Sequence, residues 1–237
     1  MKKTLKWIGI FIIAFLFVLL YSGIYLDIPR KELESKYATG SSKFLNLPDG
    51  ARIHFRDEGK AESPVIVLLH GFNGSLFNFE RLVPLLVNDF RLISIDLPGF
   101  GLTGATPAAD YTTEGFIDAV TKLTDELGIE QFSIAGNSMG GGVAWRYALE
   151  YPTKVEGLIL LASSGVGSKE DVKKFEERER NTPIVWKLMN STLLKKFLHY
   201  YTPKFFATEG LKRSVYDQQF ANADHANQFH DLVLLQG

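Results

Sequence analysis

The chain has 237 residues, 46% hydrophobic and 22% charged, which is room for one sizeable domain and an apolar tail. With 26 basic and 27 acidic residues its net charge is −1, so no nucleic-acid partner is expected. It has no cysteine, which excludes disulfides, thiolate metal sites, cysteine nucleophiles and a lipidated N-terminal cysteine.

Residues 1–6 carry Lys2, Lys3 and Lys6, and an uncharged run follows from Trp7 to Leu26. At ~1.5 Å per residue such a helix spans ~30 Å, the thickness of a bilayer core. A cleaved signal would have a shorter apolar region, roughly 7–15 residues, and a small-x-small cleavage site. The exit Tyr21-Ser22-Gly23-Ile24-Tyr25 is a poor one. Residues 7–26 therefore read as an uncleaved signal anchor that makes the membrane a partner. The lysines place residues 1–6 in the cytoplasm and the rest of the chain outside, although Arg30 and Lys31 work against that orientation.

Residues 27–42 read as a polar linker ending in Thr39-Gly40-Ser41-Ser42. A core domain is expected over 43–167. Phe44–Leu47 and Ala51–Arg56 flank Pro48-Asp49-Gly50, a hairpin signal. Val65–Leu69 is a continuous apolar run, as in a strand buried on both faces. A helix is expected over about 76–87, a strand over Arg91–Ile95, and a helix from Thr113 to Leu127 closed by Gly128. Then come a strand from Phe132 to Ala135, a helix over 139–151 stopped before Pro152, and a buried strand from Val155 to Leu161. Alternating strands and helices predict an α/β fold, a mostly parallel sheet with helices on both faces.

After Ser168 the character changes. Ser168 and Asp171 fit a capping box, Lys169–Arg180 is mostly charged and reads as a solvated face, and 184–201 is rich in Leu, Trp and Tyr. Residues 208–236 look helical. No repeat and no metal-ligand spacing is present, so neither a metal nor any other cofactor is implied.

The chemistry concentrates at Gly136-Asn137-Ser138-Met139-Gly140, between an apolar strand and a helix opening on small residues. A serine in a Gly-x-Ser-x-Gly frame at such a turn is a nucleophile elbow. The following helix directs its free N–H groups and dipole at the place where an oxyanion would form.

With His70-Gly71-Phe72 and Asp96-Leu97-Pro98-Gly99-Phe100-Gly101, each after an expected strand, this motif resembles the α/β-hydrolase fold family, in its cap-bearing serine esterase and lipase-like branch. The resemblance covers about residues 44–237, with 168–237 as a helical cap. It implies Ser138 as nucleophile, and the backbone N–H groups of Phe72 and Met139 as oxyanion donors. His70, Gly71, Asn73 and Asn137 would shape the pocket. Asp96 to Gly101 would be mainly structural.

In that family the acid follows the seventh strand and the histidine the eighth. Cap-like helices take up nearly all of 169–237, so the chain reads as C-terminally truncated. The general base and acid are then expected beyond Gly237, and these residues alone are expected to have little esterase activity. His225 follows Asp224 and His230 precedes Asp231, but neighbours in sequence do not face one another on a helix. Both histidines are read as exposed or cap-packing. His54 is read as a structural strand residue, His199 as cap surface, and Phe77, Phe79 and Trp145 as core. The stretch from Trp186 to Tyr201 is read as cap–core packing.

The expected activity is hydrolysis of small-molecule acyl esters through an acyl-enzyme on Ser138. Two alternatives stand beside it: a carbon–carbon bond hydrolase of the meta-cleavage type, and a catalytically incomplete hydrolase-like binding module. Serine rather than aspartate at the elbow argues against epoxide hydrolase and dehalogenase chemistry. No protein partner is legible.

Overall fold

The computed structural model describes residue 7, residues 10–15, 17, 18, 21, 23–165 and 201–236. The chain divides into two compact units, one of residues 28–167 with 235–237, the other of residues 1–27 with 168–234.

The first unit is built on a six-stranded sheet: β1 (Ser42–Asn46), β2 (Arg52–Glu58), β3 (Val65–Leu69), β4 (Arg91–Ile95), β5 (Phe132–Asn137) and β6 (Val155–Leu161), in the order β1-β2-β4-β3-β5-β6. β1, β2 and β4 pair antiparallel, while β4, β3, β5 and β6 run parallel. β3 is apolar without interruption, and β4 and β5 are mostly so, because both their faces are covered. Val67, Leu69, Ile93, Ile95, Phe132 and Ile134 pack on one side against α3 (Thr113–Glu126) and α4 (Met139–Glu150). Ile66, Leu68, Leu92 and Ala135 pack on the other against Phe79 and Val83. Phe77 and Phe79 are core residues, as expected. Trp145 is only half-buried, with its indole N–H donating to Ser164 O at 3.2 Å.

Local signals account for the ends of these elements. Thr112 caps α3 by accepting from Gly115 N–H, and Gly128 closes it at φ 64°, a left-handed value that suits glycine.

Three expectations need correcting. The single helix over 76–87 is instead a 3₁₀ turn, Leu76–Phe79, and a short α2, Val83–Leu86. Pro84 is the cause: inside one continuous helix it would lack the N–H owed to Glu80, so it sits in the first turn of a new one. Residues 27–42 are more than a linker, since they contain α1 (Arg30–Tyr37) with Leu33 buried. α1 is polar overall but pinned at three points. Arg30 donates to Leu102 O (2.7 Å) and Thr103 O (3.2 Å), and Glu34 pairs with Arg52. Finally, β6 is not a buried strand. It pairs only with β5 among the described residues, and Leu158, Ile159, Leu160 and Leu161 are exposed.

In the second unit, α5 (Lys204–Ser214) and α6 (Ala223–Val233) pack through Leu211, Ala221 and Ala226, flanked by Phe220 and Phe229. The capping box at Ser168, the charged run Lys169–Arg180, His199 and most of the aromatic stretch lie outside the described residues, as does part of 7–26. No helix among the described residues is long and apolar enough to cross a membrane.

Candidate active site

Ser138 stands between β5 and α4 at φ 51°, ψ −114°. An L-residue pays roughly 1–3 kcal/mol for such a backbone, and holds it only where its surroundings insist. Here they do so through three main-chain bonds. Ser138 N–H donates to Leu161 O (3.0 Å), while Ser138 O accepts from Gly142 N–H (3.1 Å) and Ser164 N–H (2.9 Å). Asn137 also donates its side-chain amide to Leu161 O at 3.1 Å. The bend is therefore clamped by the end of β6 and the loop after it. Gly140 allows α4 to start so close to β3: a Cβ there would lie 2.3 Å from Leu69 O and 2.4 Å from His70 O.

The loop after β3 comes up against the same bend. A Cβ on Gly71 would lie 3.2 Å from Ser138 Cβ and 3.1 Å from Asn137 Oδ1. Fold topology thus brings Gly71, Asn137 and Ser138 together, although the first lies far from the others in sequence. Phe72 and Asn73 follow on this loop, both exposed, with Asn73 at φ 56°. Phe72 N–H has no backbone acceptor among the described residues. Met139 opens α4, so its N–H has no acceptor within the helix. The Ser138 side chain is exposed. An exposed hydroxyl on a strained bend, with two main-chain donors nearby, can do nucleophilic chemistry and hold the charge it creates.

His70 is buried completely and has both ring nitrogens in use. Nε2 accepts from Leu97 N–H at 3.1 Å, which makes Nδ1 the protonated nitrogen, donating to Gly71 O at 2.8 Å. Burial holds its pKa below the ordinary value, although the Asp96 charge and the Gly71 bond pull the other way. This neutral imidazole ties the Gly71 loop to the loop after β4.

Asp96 is the hub that sequence reasoning undervalued. Its carboxylate, fully buried, accepts from His54 Nδ1–H (2.7 Å), Leu76 N–H (2.7 Å) and Leu102 N–H (2.8 Å). Burial pushes its pKa up, but the His54 bond, the nearby His54 and His70 rings and the Leu76 N–H outweigh that, and the net shift is downward. His54 is thus more than a strand residue, because it ties β2 to the loop after β4. No local signal marks a pair 42 residues apart.

The other two described histidines also have partners. His225 Nδ1 lies 3.0 Å from Asn222 Oδ1, and its ring stacks on Phe220 at 4.0 Å. His230 is buried, with Nε2 2.6 Å from Thr202 O and Tyr25 edge-on at 4.5 Å. Its pKa is lowered, first by burial.

The chain is similar to known proteins in sequence and fold. The family model for the alpha/beta hydrolase fold matches residues 64–229. The chain is 30% identical over 197 residues to a 2-hydroxy-6-oxononadienedioate/2-hydroxy-6-oxononatrienedioate hydrolase of Paraburkholderia phymatum, covering 80% of this chain and 68% of that protein. It is 32% identical over 186 residues to Lipase 1 of Psychrobacter immobilis, covering 74% and 58%. A solved carboxylesterase structure from Nitrososphaera gargenis is 26% identical with a TM-score of 0.57, over 81% of this chain and 66% of that one. The chain spans about half the length of the curated relatives it matches, from 33% to 72%. The family match starts just before β3 and ends inside α6, taking in both loops that meet at Ser138, and this chain belongs to the α/β-hydrolase fold family.

Proposed function

We propose that the protein is a serine hydrolase acting on carboxylic esters. The observation that carries this is the strained, clamped backbone of Ser138 with the Gly71 loop packed against it. Ser138 Oγ attacks the acyl carbon and gives up its proton to a general base. Phe72 and Met139 N–H hold the resulting oxyanion, each such donor being worth roughly 10²–10³ in rate. The carbonyl re-forms, the C–O bond to the alcohol breaks, and the alcohol leaves with the base's proton. Water then cleaves the acyl-enzyme by the same route. The general base comes from outside residues 28–167, since His54 and His70 are that unit's only histidines and both are buried, His54 held by Asp96 through Nδ1 and His70 bonded through both ring nitrogens. The reading needs no cofactor.

A second reading has one specific observation in its favour, the 30% identity to the carbon–carbon bond hydrolase of Paraburkholderia phymatum. Turnover of p-nitrophenyl esters of graded chain length, set against a vinylogous diketone acid, separates the two. The protein is run beside its Ser138→Ala variant. Ester turnover lost in the variant supports the esterase. Ester turnover that survives in Ser138→Ala removes Ser138 from the mechanism.

The proposal extends to place. The apolar run 7–26 holds the protein at a membrane with its hydrolase unit outside the cytoplasm. Its support is the uncharged sequence and the exposure of Trp7, Phe11, Phe15, Phe17 and Tyr21. Release from membranes by alkaline carbonate would overturn it.

A further inference from the structure

A cleft of about 270 Å³ opens on the sheet face that carries Ile66, Leu68 and Leu92, over β2 and β4. Its floor is Ser94, which pairs in register with Arg56 across the antiparallel β2–β4 ladder. Ser94 is 1% exposed, and its hydroxyl has no hydrogen-bond partner among the described residues. A buried hydroxyl left so costs about 1–3 kcal/mol, hence an unpartnered one lining a cleft marks a place where a ligand atom is welcome. The apolar walls are Leu76, Val83 and Pro84, from the 3₁₀ turn and α2. All of these lie in the unit of residues 28–167, apart from the Ser138 bend and its chemistry.

The charges at the rim decide what fits. Arg56 is already engaged: it reaches Glu80 Oε1 at 3.4 Å and Ser42 Oγ at 3.3 Å, and lies over the Phe77 ring at 4.8 Å. Glu58 has no ion-pair partner among the described residues. Two carboxylates against one guanidinium leave a net negative charge at the rim, which favours a cation over an anion. A volume near the low end of ligand pockets, about 300–1,000 Å³, restricts the occupant to a small molecule. It also exceeds several times the ~30 Å³ share of one water.

We propose that this cleft binds a small organic cation, a primary amine on a short hydroxylated body, with its ammonium between Glu58 and Glu80 and its hydroxyl on Ser94. The short apolar walls take the methylene groups. The proposal is independent of the reading of Ser138.

Ethanolamine is the probe, titrated in amine-free buffer while backbone amide shifts are followed by NMR, with acetate and glycerol as controls. Saturable one-site shifts at Glu58, Glu80 and Ser94 are expected. Glu58→Gln should weaken ethanolamine binding about tenfold, a loss of ~1.4 kcal/mol. Ser94→Ala should weaken it by a smaller factor, with unchanged urea midpoints showing that both variants are folded. The proposal is overturned if ethanolamine gives no saturable shifts, if Glu58→Gln binds it as tightly as the parent, or if acetate or glycerol binds equally well.

Discussion

His54 and Asp96 form a pair sealed from solvent, Nδ1 to Oδ2 at 2.7 Å, which joins β2 to the loop after β4. The same carboxylate fixes Leu76 N–H at the start of the 3₁₀ turn and Leu102 N–H beyond β4. Three segments converge on one buried charge. One step further, His70 links this hub to the Gly71 loop beside Ser138.

Asp96→Ala should therefore cost about 3–5 kcal/mol, the usual penalty for removing one partner of a buried pair and orphaning its donors. Urea unfolding followed by fluorescence measures it. A loss below about 1 kcal/mol would mean that the hub contributes little.

The pH dependence follows from two depressed pKa values. His70 titrates at about 6.5 when unfolded and lower when folded, so below 6.5 the unfolded chain binds the extra proton. Stability is then fully present above 6.5 and falls as pH drops towards the folded value. Asp96, ordinarily 3.8 and lowered by the fold, adds a second loss as pH falls below 3.8. Urea midpoints should decline from about pH 7.5 to about pH 5.5, and His70→Gln should flatten part of that decline. His230, depressed in the same direction, adds to it.

At Ser138 two small substitutions should separate strain from chemistry. Ser138→Gly and Ser138→Ala should both abolish ester turnover. Glycine tolerates φ 51°, so the Gly variant should be more stable than the Ala variant by about 1 kcal/mol or more. Equal midpoints would show that the bend stores no strain.

Gly71→Ala tests the approach of the two loops. Its Cβ would meet Ser138 Cβ at 3.2 Å and Asn137 Oδ1 at 3.1 Å, so one of the two segments should give way by a few tenths of an ångström. Turnover should fall about 10–100-fold while stability changes by less than about 1 kcal/mol. Gly140→Ala behaves differently, because its Cβ would lie 2.3 Å from a backbone oxygen that cannot yield. It should cost at least about 1–3 kcal/mol, read as a lower urea midpoint.

What could be read from sequence was local. β3 and β4 have the expected bounds because a strand covered on both faces is an apolar run between turns. The Ser138 bend was legible because its requirements fall on its immediate neighbours, above all Gly136 and Gly140. α1 was not, since its anchors are the carbonyls of Leu102 and Thr103, invisible to a reading of hydropathy. Nor was the exposure of β6: Val155–Leu161 is as apolar as a central strand, and only the sheet order puts it at an edge of the described sheet. The tertiary structure alone decided which distant groups share a proton or a carbonyl, as His54 and Asp96 do, and that Gly71 meets Ser138. Such contacts are fixed by strand order and loop approach, and no window of neighbouring residues encodes those separately.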